Sequence, residues 1–310
     1  MPSICPAPFP FSVSAPLPAG LQAVNARDAH PFRIAGRTVL SGLALVALVA
    51  PAQALDIFKF DPAVNLRFSR GSYADERLEE NPAFLLAGHD LSGVGWSEGH
   101  FGLTLVSPRH FLTAAHAAPQ PGSTVSFRNR AGLIKHYVVE SDFPIEHAPG
   151  VRTDLVVGRL AAAIPAEDQV GFLPALRLSR NSLCLGLRIY SFGAYQSCGT
   201  NTITGWGACD LLPFAAGDKI TDDIVFQTKW NRVAGEAQAQ GHDSGSPSLT
   251  LVRGRLALIG THSAVHVTDE PYVTVDVLIP AYFSQIAARL ALDGYEFLDA
   301  SAQSLPAPPR

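Results

Sequence analysis

The sequence predicts an all-β fold, a barrel or sandwich, with one helix at its C-terminal end. Three observations carry this. Short apolar runs recur from Phe84 onwards, each too brief for a typical helix. Gly and Pro residues stand between them, as turn chemistry requires. Helical apolar spacing shows in one stretch only, near the end. Bulk composition agrees with a packed globular chain: 310 residues, 47% hydrophobic, 16% charged. A net charge of -4 gives no electrostatic footprint for nucleic acid, so none is expected as a partner.

Read from its start, the chain first carries an address. Arg33 and Arg37 precede an apolar run from Val39 to Ala50, interrupted by Ser41 and Gly42 and followed by Pro51-Ala52-Gln53-Ala54. A positive flank, a short apolar core and an Ala-x-Ala end describe a secretory signal peptide, cut after Ala54. The run falls short of the ~18 apolar residues of a membrane span. Residues 1–54 are therefore read as leader and signal, and the product as secreted or periplasmic with no stable membrane anchor after cleavage. Residues 55–83 are mixed and polar, most charged at Ala74-Asp75-Glu76-Arg77-Leu78-Glu79-Glu80. They read as a surface segment or a short pro-region.

The strand candidates follow in order: Gly102–Val106, Thr124–Phe127, Ile134–Glu140, Leu155–Leu160, Leu187–Phe192, Asp223–Thr228, Leu256–Gly260 and Tyr272–Val277. The alanine-rich stretch Ala161–Asp168 is the best internal boundary, giving domains over 84–165 and 166–293. The helix is expected after Pro280, a first-turn proline, with Phe283, Ile286, Ala287, Leu290 and Leu292 on its apolar face. Residues 294–310, with Pro306, Pro308 and Pro309, form a tail.

Cys5 leaves with the leader, so Cys184, Cys198 and Cys209 remain in an oxidising compartment. The segment between Cys198 and Cys209 reads as two short strands folding back, which predicts a disulfide between them worth ~2–3 kcal/mol in the loop-closure picture. Three buried thiols are the other reading. No Cys-x-x-Cys and no His/Cys cluster calls for a metal, and no cofactor is expected. His89, His100, His110, His136, His147 and His266 show no ligand spacing either.

Three segments carry chemistry. Gly241-His242-Asp243-Ser244-Gly245-Ser246-Pro247 sets a serine in a glycine-flanked turn. Upstream stand Thr113-Ala114-Ala115-His116 and Asp154-Leu155-Val156-Val157. A serine hydroxyl is a weak nucleophile until a base takes its proton, and the base needs a third group to orient it. Histidine titrates near neutrality and suits that task. An aspartate on its far ring nitrogen fixes the tautomer and stabilises the imidazolium. The oxyanion that forms needs preorganised donors, which the backbone around Ser244 can offer.

These segments resemble those of the chymotrypsin/trypsin-like serine proteases, in the family's order of His, Asp and Ser. The 38 residues from His116 to Asp154 and the 90 from there to Ser244 are similar to the family's separations. The resemblance spans about residues 84–293. It implies two packed six-stranded antiparallel barrels with a C-terminal helix, and an exported endopeptidase acting on polypeptide substrates through His116, Asp154 and Ser244. It further implies an oxyanion hole from the N–H groups of His242 and Ser244, and Ser263 supporting Asp154. His262 stands where a glutamyl endopeptidase has its acid-reading histidine.

The chain departs from the family at two places. His242 stands where the family has glycine, and a side chain there resists positive φ. No Ile-Val-Gly-Gly start is present near Phe84, so Asp243 needs a partner other than the usual N-terminal amine. By the same resemblance the substrate pocket is formed by Gln238, Ala239, His262 and Val265. Gln238 at the floor excludes an argument for Arg or Lys specificity. Val265 narrows the pocket toward small or apolar side chains, while His262 favours an acidic one. A catalytically impaired, protease-like protein that holds a peptide or protein partner is the competing reading.

Overall fold

The computed structural model describes residues 55–71, 73–209, 223–266 and 272–302. The leader, the signal peptide and the cleavage site after Ala54 lie outside the described residues, as does the end of the tail.

Twelve strands build two sheets. The first contains β1 (Val94–Ser97), β2 (Gly102–Ser107), β3 (His110–Thr113), β4 (Thr124–Arg128), β5 (Ile134–Ala148) and β6 (Val151–Leu160). Their order is β1-β2-β3-β6-β5-β4, with β4 pairing back onto β1 through Gly95 and Phe127. The second contains β7 (Arg188–Phe192), β8 (Cys198–Cys209), β9 (Asp223–Lys229), β10 (Pro247–Val252), β11 (Arg255–His266) and β12 (Val273–Leu278). Its order is β7-β8-β9-β12-β11-β10, and β10 returns to β7 at Tyr190 and Leu249. All pairings are antiparallel, and the two halves repeat one topology. Closure removes the sheet edges that otherwise invite unwanted pairing.

The all-β class and the C-terminal helix match the sequence reading. Each strand candidate falls within or largely over an observed strand. β8 replaces the two short strands expected between Cys198 and Cys209, and β1, β3 and β10 lie outside that set. They are short, and they alternate too little to stand out: β1 (Val-Gly-Trp-Ser) and β3 (His-Phe-Leu-Thr) are buried at every position. Strands buried on both faces lose the period-two pattern.

Residues 166–302 also supply α1 (Ile279–Ala291), with Pro280 in its first turn. The helix buries Ile279, Tyr282, Phe283, Ile286 and Leu290. Leu292, expected on that face, lies one residue past the helix and is 74% exposed. One apolar cluster joins Val106, Leu112, Leu155 and Val157 of the first barrel to Leu249, Leu258 and Val277 of the second and to Ile286 and Leu290 of the helix. That shared core fixes how the barrels and α1 meet.

Two expectations bear comparison with the structure. Residues 55–83 are exposed at most positions, as a surface segment would be, yet they are also tied to the body of the protein. Leu55, Ile57 and Leu78 are buried, Asp56 and Ile57 pair with Gln238 and Ala237, and Arg67 is buried with a hydrogen bond to Gln196 Oε1 at 2.7 Å. The second concerns the cysteines. Cys198 and Cys209 do not face each other across a hairpin; they are the two ends of the single strand β8. At about 3.3 Å per residue a strand of that length separates them by roughly 36 Å, far beyond disulfide reach. The expected bridge does not form.

Candidate active site

The site is assembled from four chain segments. β3 ends at Thr113 and runs into a 3-10 turn over Ala115–Ala117 that carries His116. Thr113 ties this corner down by donating its hydroxyl to Gly102 O at 2.8 Å. Asp154 comes from β6 and is 2% exposed. Ser244 lies in the turn before β10, and Ser263 in β11. The sequence places these residues far apart; the barrel interface brings them together.

Asp154 Oδ2 and Oδ1 lie 2.8 and 3.0 Å from His116 Nδ1. Oδ1 also accepts the His116 backbone N–H at 3.0 Å. Ser263 Oγ donates to Oδ2. His116 Nε2 is 2.7 Å from Ser244 Oγ. With Asp154 accepting at Nδ1, that ring nitrogen carries the proton and Nε2 faces the serine as an acceptor. Asp154 has one more anchor that the sequence did not signal: its own backbone N–H donates to Asp223 Oδ2 at 2.9 Å, from the fully buried first residue of β9. Nothing in a lone Asp opening an apolar strand reveals such a contact in advance.

The turn around Ser244 explains its glycine. Gly245 has φ +79, and a Cβ there would come within 2.2 Å of Thr113 Oγ1 and 2.3 Å of Gly102 O. Both the backbone angle and the space exclude a side chain. Gly245 N donates to His262 O at 2.9 Å, and Gly102 N donates to Ser244 O at 3.1 Å, so both barrels grip the nucleophile's turn.

The preceding turn is closed by Asp243 N donating to Gln240 O at 3.0 Å. Neither Gly241 nor His242 has positive φ. That is the type I arrangement; type II would require φ above zero at His242. His242 is exposed, and among the described residues no protein group accepts the N–H of His242 or of Ser244.

Asp243 is fully buried. Its carboxylate accepts from Ala194 N at 2.9 Å and Gln240 N at 2.7 Å. Burial pushes its pKa up to about 6, opposed by the charge of His262 and by those two N–H groups. Its partners in the structure are thus backbone amides.

The pocket residues fall into two groups. Gln238 is 1% exposed, and its Nε2 has no hydrogen-bond partner among the described residues. Ala239 is buried and its N–H donates to Thr274 Oγ1, while Val265 is half-buried. His262 does not belong with them as an acid reader. It is buried, with Nδ1 2.6 Å from Asp276 Oδ1 and Nε2 2.9 Å from Phe192 O. Both partners only accept, so both ring nitrogens carry protons. Burial works against that charge, but Asp276, together with Asp243 and the Phe192 carbonyl, raises the imidazole above its usual pKa. Both N–H groups are spent inside the protein, and none faces a substrate side chain.

Among the described residues no group of three His, Cys, Asp or Glu side chains is placed to hold a metal ion, and no helix is long and apolar enough to cross a membrane. No family model matches the chain, and no curated protein matches it. Among solved structures it is similar to neuropsin, a serine protease expressed in the limbic system of mouse brain. The two share 18% identity over 65% of this chain and 95% of that one, with a TM-score of 0.46.

Proposed function

We propose that this chain is an exported serine endopeptidase of the chymotrypsin-like kind, hydrolysing polypeptides through an acyl-enzyme. The observation that carries this reading is the continuous relay from Ser263 and Asp154 through His116 to Ser244 Oγ, ending on a half-buried residue. In this reading Ser244 Oγ attacks the peptide carbonyl carbon as His116 Nε2 takes its proton. The tetrahedral intermediate collapses, the C–N bond breaks, and His116 returns the proton to the leaving amine. Water, activated by the same nitrogen, then releases the acid and restores the serine. Asp154 stays ionised and orients the imidazolium. The N–H groups of Ser244 and His242 are assigned to the oxyanion, the second after a half-turn of the Gly241–His242 peptide.

Export and cleavage after Ala54 belong to the same proposal. Cleavage there would leave Leu55 as the first residue. Leu55 is 1% exposed, and a Cβ built on Gly193 would meet Leu55 Cγ at 2.8 Å, Asp243 Oδ1 at 2.9 Å and Ser197 Oγ at 3.0 Å. Ser197 Oγ is buried without a partner among the described residues. A new α-ammonium on Leu55, whose side chain reaches this spot, would be a direct countercharge for Asp243, with Ser197 Oγ as a second partner.

The test is labelling with a sulfonyl fluoride or organophosphonate, followed by mass spectrometry. The processed protein is expected to take one label on Ser244 and Ser244→Ala none; a folded, processed chain that takes no label refutes the reading. One observation favours the competing, binding-only function: the type I turn at Gly241–His242 leaves the hole incomplete as it stands. A peptide-library digest separates the two, since the binding protein returns the library uncut. The same digest decides the pocket preference, which with His262 occupied rests on Gln238, Ala239 and Val265.

A further inference from the structure

Beside the nucleophile lies an aromatic stack that the relay does not use. Tyr73 packs against Trp96 with ring centroids 4.5 Å apart, against His100 at 5.1 Å and against Tyr195 at 6.1 Å, all three pairs within 25° of parallel. The rings come from three segments distant in sequence. The base of the stack is buried, with Trp96 3% exposed, while Tyr195 is 43% exposed and His100 also opens to solvent. Such a group presents aromatic faces to water on a well-packed foundation.

Its position is fixed by bonds to the nucleophile's own turn. Trp96 pairs in register with Gly102, whose N–H holds Ser244 O at 3.1 Å. On the other flank Tyr73 donates its hydroxyl to Ala194 O at 2.5 Å, and Ala194 N holds Asp243 Oδ1 at 2.9 Å. Tyr195 follows Ala194 directly. Two residues at the stack, His100 and Gln196, adopt left-handed backbone (φ 64 and 58) without being glycine. Such positions cost of order 1 kcal/mol or more and concentrate where a surface is held for use.

The direction follows from the two grips on Ser244. Of the pocket residues, Val265 lies on β11, which holds Gly245 through His262 O. Trp96 and His100 belong with β1 and its turn into β2, which holds Ser244 through Gly102, while Tyr195 stands in the turn after β7. If β11 and its pocket take the acyl part of a substrate, the chain beyond the scissile bond runs over the stack.

We propose that Tyr195 and His100, supported by Tyr73 and Trp96, form a binding platform for an aromatic side chain in the leaving segment of a polypeptide substrate, within the first two residues after the scissile bond. This rests on the endopeptidase reading above. Offset stacking on an exposed ring favours an aromatic over an alanine by about threefold to tenfold.

The test uses two peptide series with one acyl sequence, chosen from the library digest, and either Phe or Ala in each of the two positions after the bond. The ratio of kcat/KM values, Phe over Ala, is expected at about threefold to tenfold in the wild type. It is expected near unity in Tyr195→Ala and retained in Tyr195→Phe, which keeps the ring. A wild-type ratio of one, or a preference unchanged in Tyr195→Ala, overturns the platform. The same pairs are titrated onto Ser244→Ala by fluorescence anisotropy, where the Phe peptide is expected to bind more tightly by a similar factor. That arm judges the platform even if nothing is cleaved. Absence of turnover with the Phe preference intact in binding refutes only the endopeptidase reading.

Discussion

Two histidine–aspartate pairs stand close together in the molecule, one half-buried and one buried, and they differ in what they can do. His116 Nδ1 faces Asp154 at 2.8 Å, and His262 Nδ1 faces Asp276 at 2.6 Å. The difference lies at the other ring nitrogen. His116 Nε2 meets the Ser244 hydroxyl, which can give up a proton; His262 Nε2 meets the Phe192 carbonyl, which can only accept one. In the proposed reading, the first histidine is a base that gains a proton during a reaction cycle. The second is fixed as a cation. A third pair completes the series. His110 joins Asp293 Oδ2 at Nε2 and Ser107 Oγ at Nδ1, both at 2.8 Å. It uses the same three residue types as the relay, yet Ser107 and His110 are buried, and Ser107 Oγ already accepts the N–H groups of Arg109 and His110. That arrangement fastens the first barrel to Asp293, two residues past α1. Residue type alone does not make a catalytic group; the third partner and access to solvent do.

The sharpest way to break this comparison is at the first pair. Ser244→Ala is expected to lower kcat by roughly 10⁴-fold to 10⁶-fold with the thermal midpoint little changed, because removing a member of a relay that acts as a unit forfeits nearly all of its contribution. His116→Ala should match it, and the double variant should be no worse than either single one. Rates measured under single turnover together with calorimetry check this. Additive losses would mean that the two side chains do not act together.

The second pair should fail in the opposite sense, in stability first. Asp276→Asn leaves the buried His262 without its countercharge, and breaking a buried pair costs about 3–5 kcal/mol. The pH dependence carries the signature. His262 has a raised pKa in the folded state, so its contribution to stability is complete below the unfolded pKa of about 6.5. It is lost as pH rises through the folded value. Denaturant titrations at several pH values are expected to show the gap between wild type and Asp276→Asn narrowing on the alkaline side. A gap that widens there would mean that His262 is neutral.

Asp243 supplies a third, smaller contrast, between a buried carboxylate bonded directly to a charged partner and one bonded to backbone amides. Its pKa is raised to about 6, so the folded form holds a proton that the unfolded chain has already lost. Between about pH 4 and 6 the native state binds more protons, and stability falls as pH rises through that window. An N-terminal ammonium at Leu55 would cancel the penalty. Protein processed at Ala54–Leu55 is therefore expected to show a flatter stability profile from pH 4 to 7 than the same chain with its Leu55 amine acetylated. Equal profiles would remove Leu55 as the countercharge.

How far the sequence revealed these distinctions depends on the kind of signal. The relay was legible because each of its members sits in a local motif whose residue types carry chemistry by themselves: Thr-Ala-Ala-His, Asp before an apolar strand, Asp-Ser-Gly-Ser-Pro. The β class was legible from short runs and turn residues. What stayed hidden depends on pairing over long distance. Asp223 holding Asp154 N–H, Asp276 consuming His262, and Leu55–Ile57 docking beside Gln238 leave no mark in periodicity or composition. The cysteines misled for a related reason. A strand that carries glycines at 199, 205 and 207 reads as a turn, whereas here it runs on through one register shift near Gly205.

The smallest expected effect concerns the hole itself, where two neighbouring turns differ by one residue type. At the nucleophile, Gly245 takes φ +79 at no steric cost; one turn earlier, His242 keeps a negative φ. Bringing the His242 N–H beside that of Ser244 by rotating the Gly241–His242 peptide gives a type II turn, with φ above zero at His242. For a residue with a Cβ that conformation costs about 1–2 kcal/mol, whereas glycine reaches it freely. His242→Gly is therefore expected to raise kcat by roughly fivefold to thirtyfold, with a smaller change in KM, since the rotated peptide is needed most when the oxyanion has formed. A wild-type rate already equal to that of the glycine variant would place the resting turn in its active form and remove the last support for the binding-only function. A rate that falls in His242→Gly would instead assign the imidazole, exposed beside the nucleophile, a role of its own at the substrate.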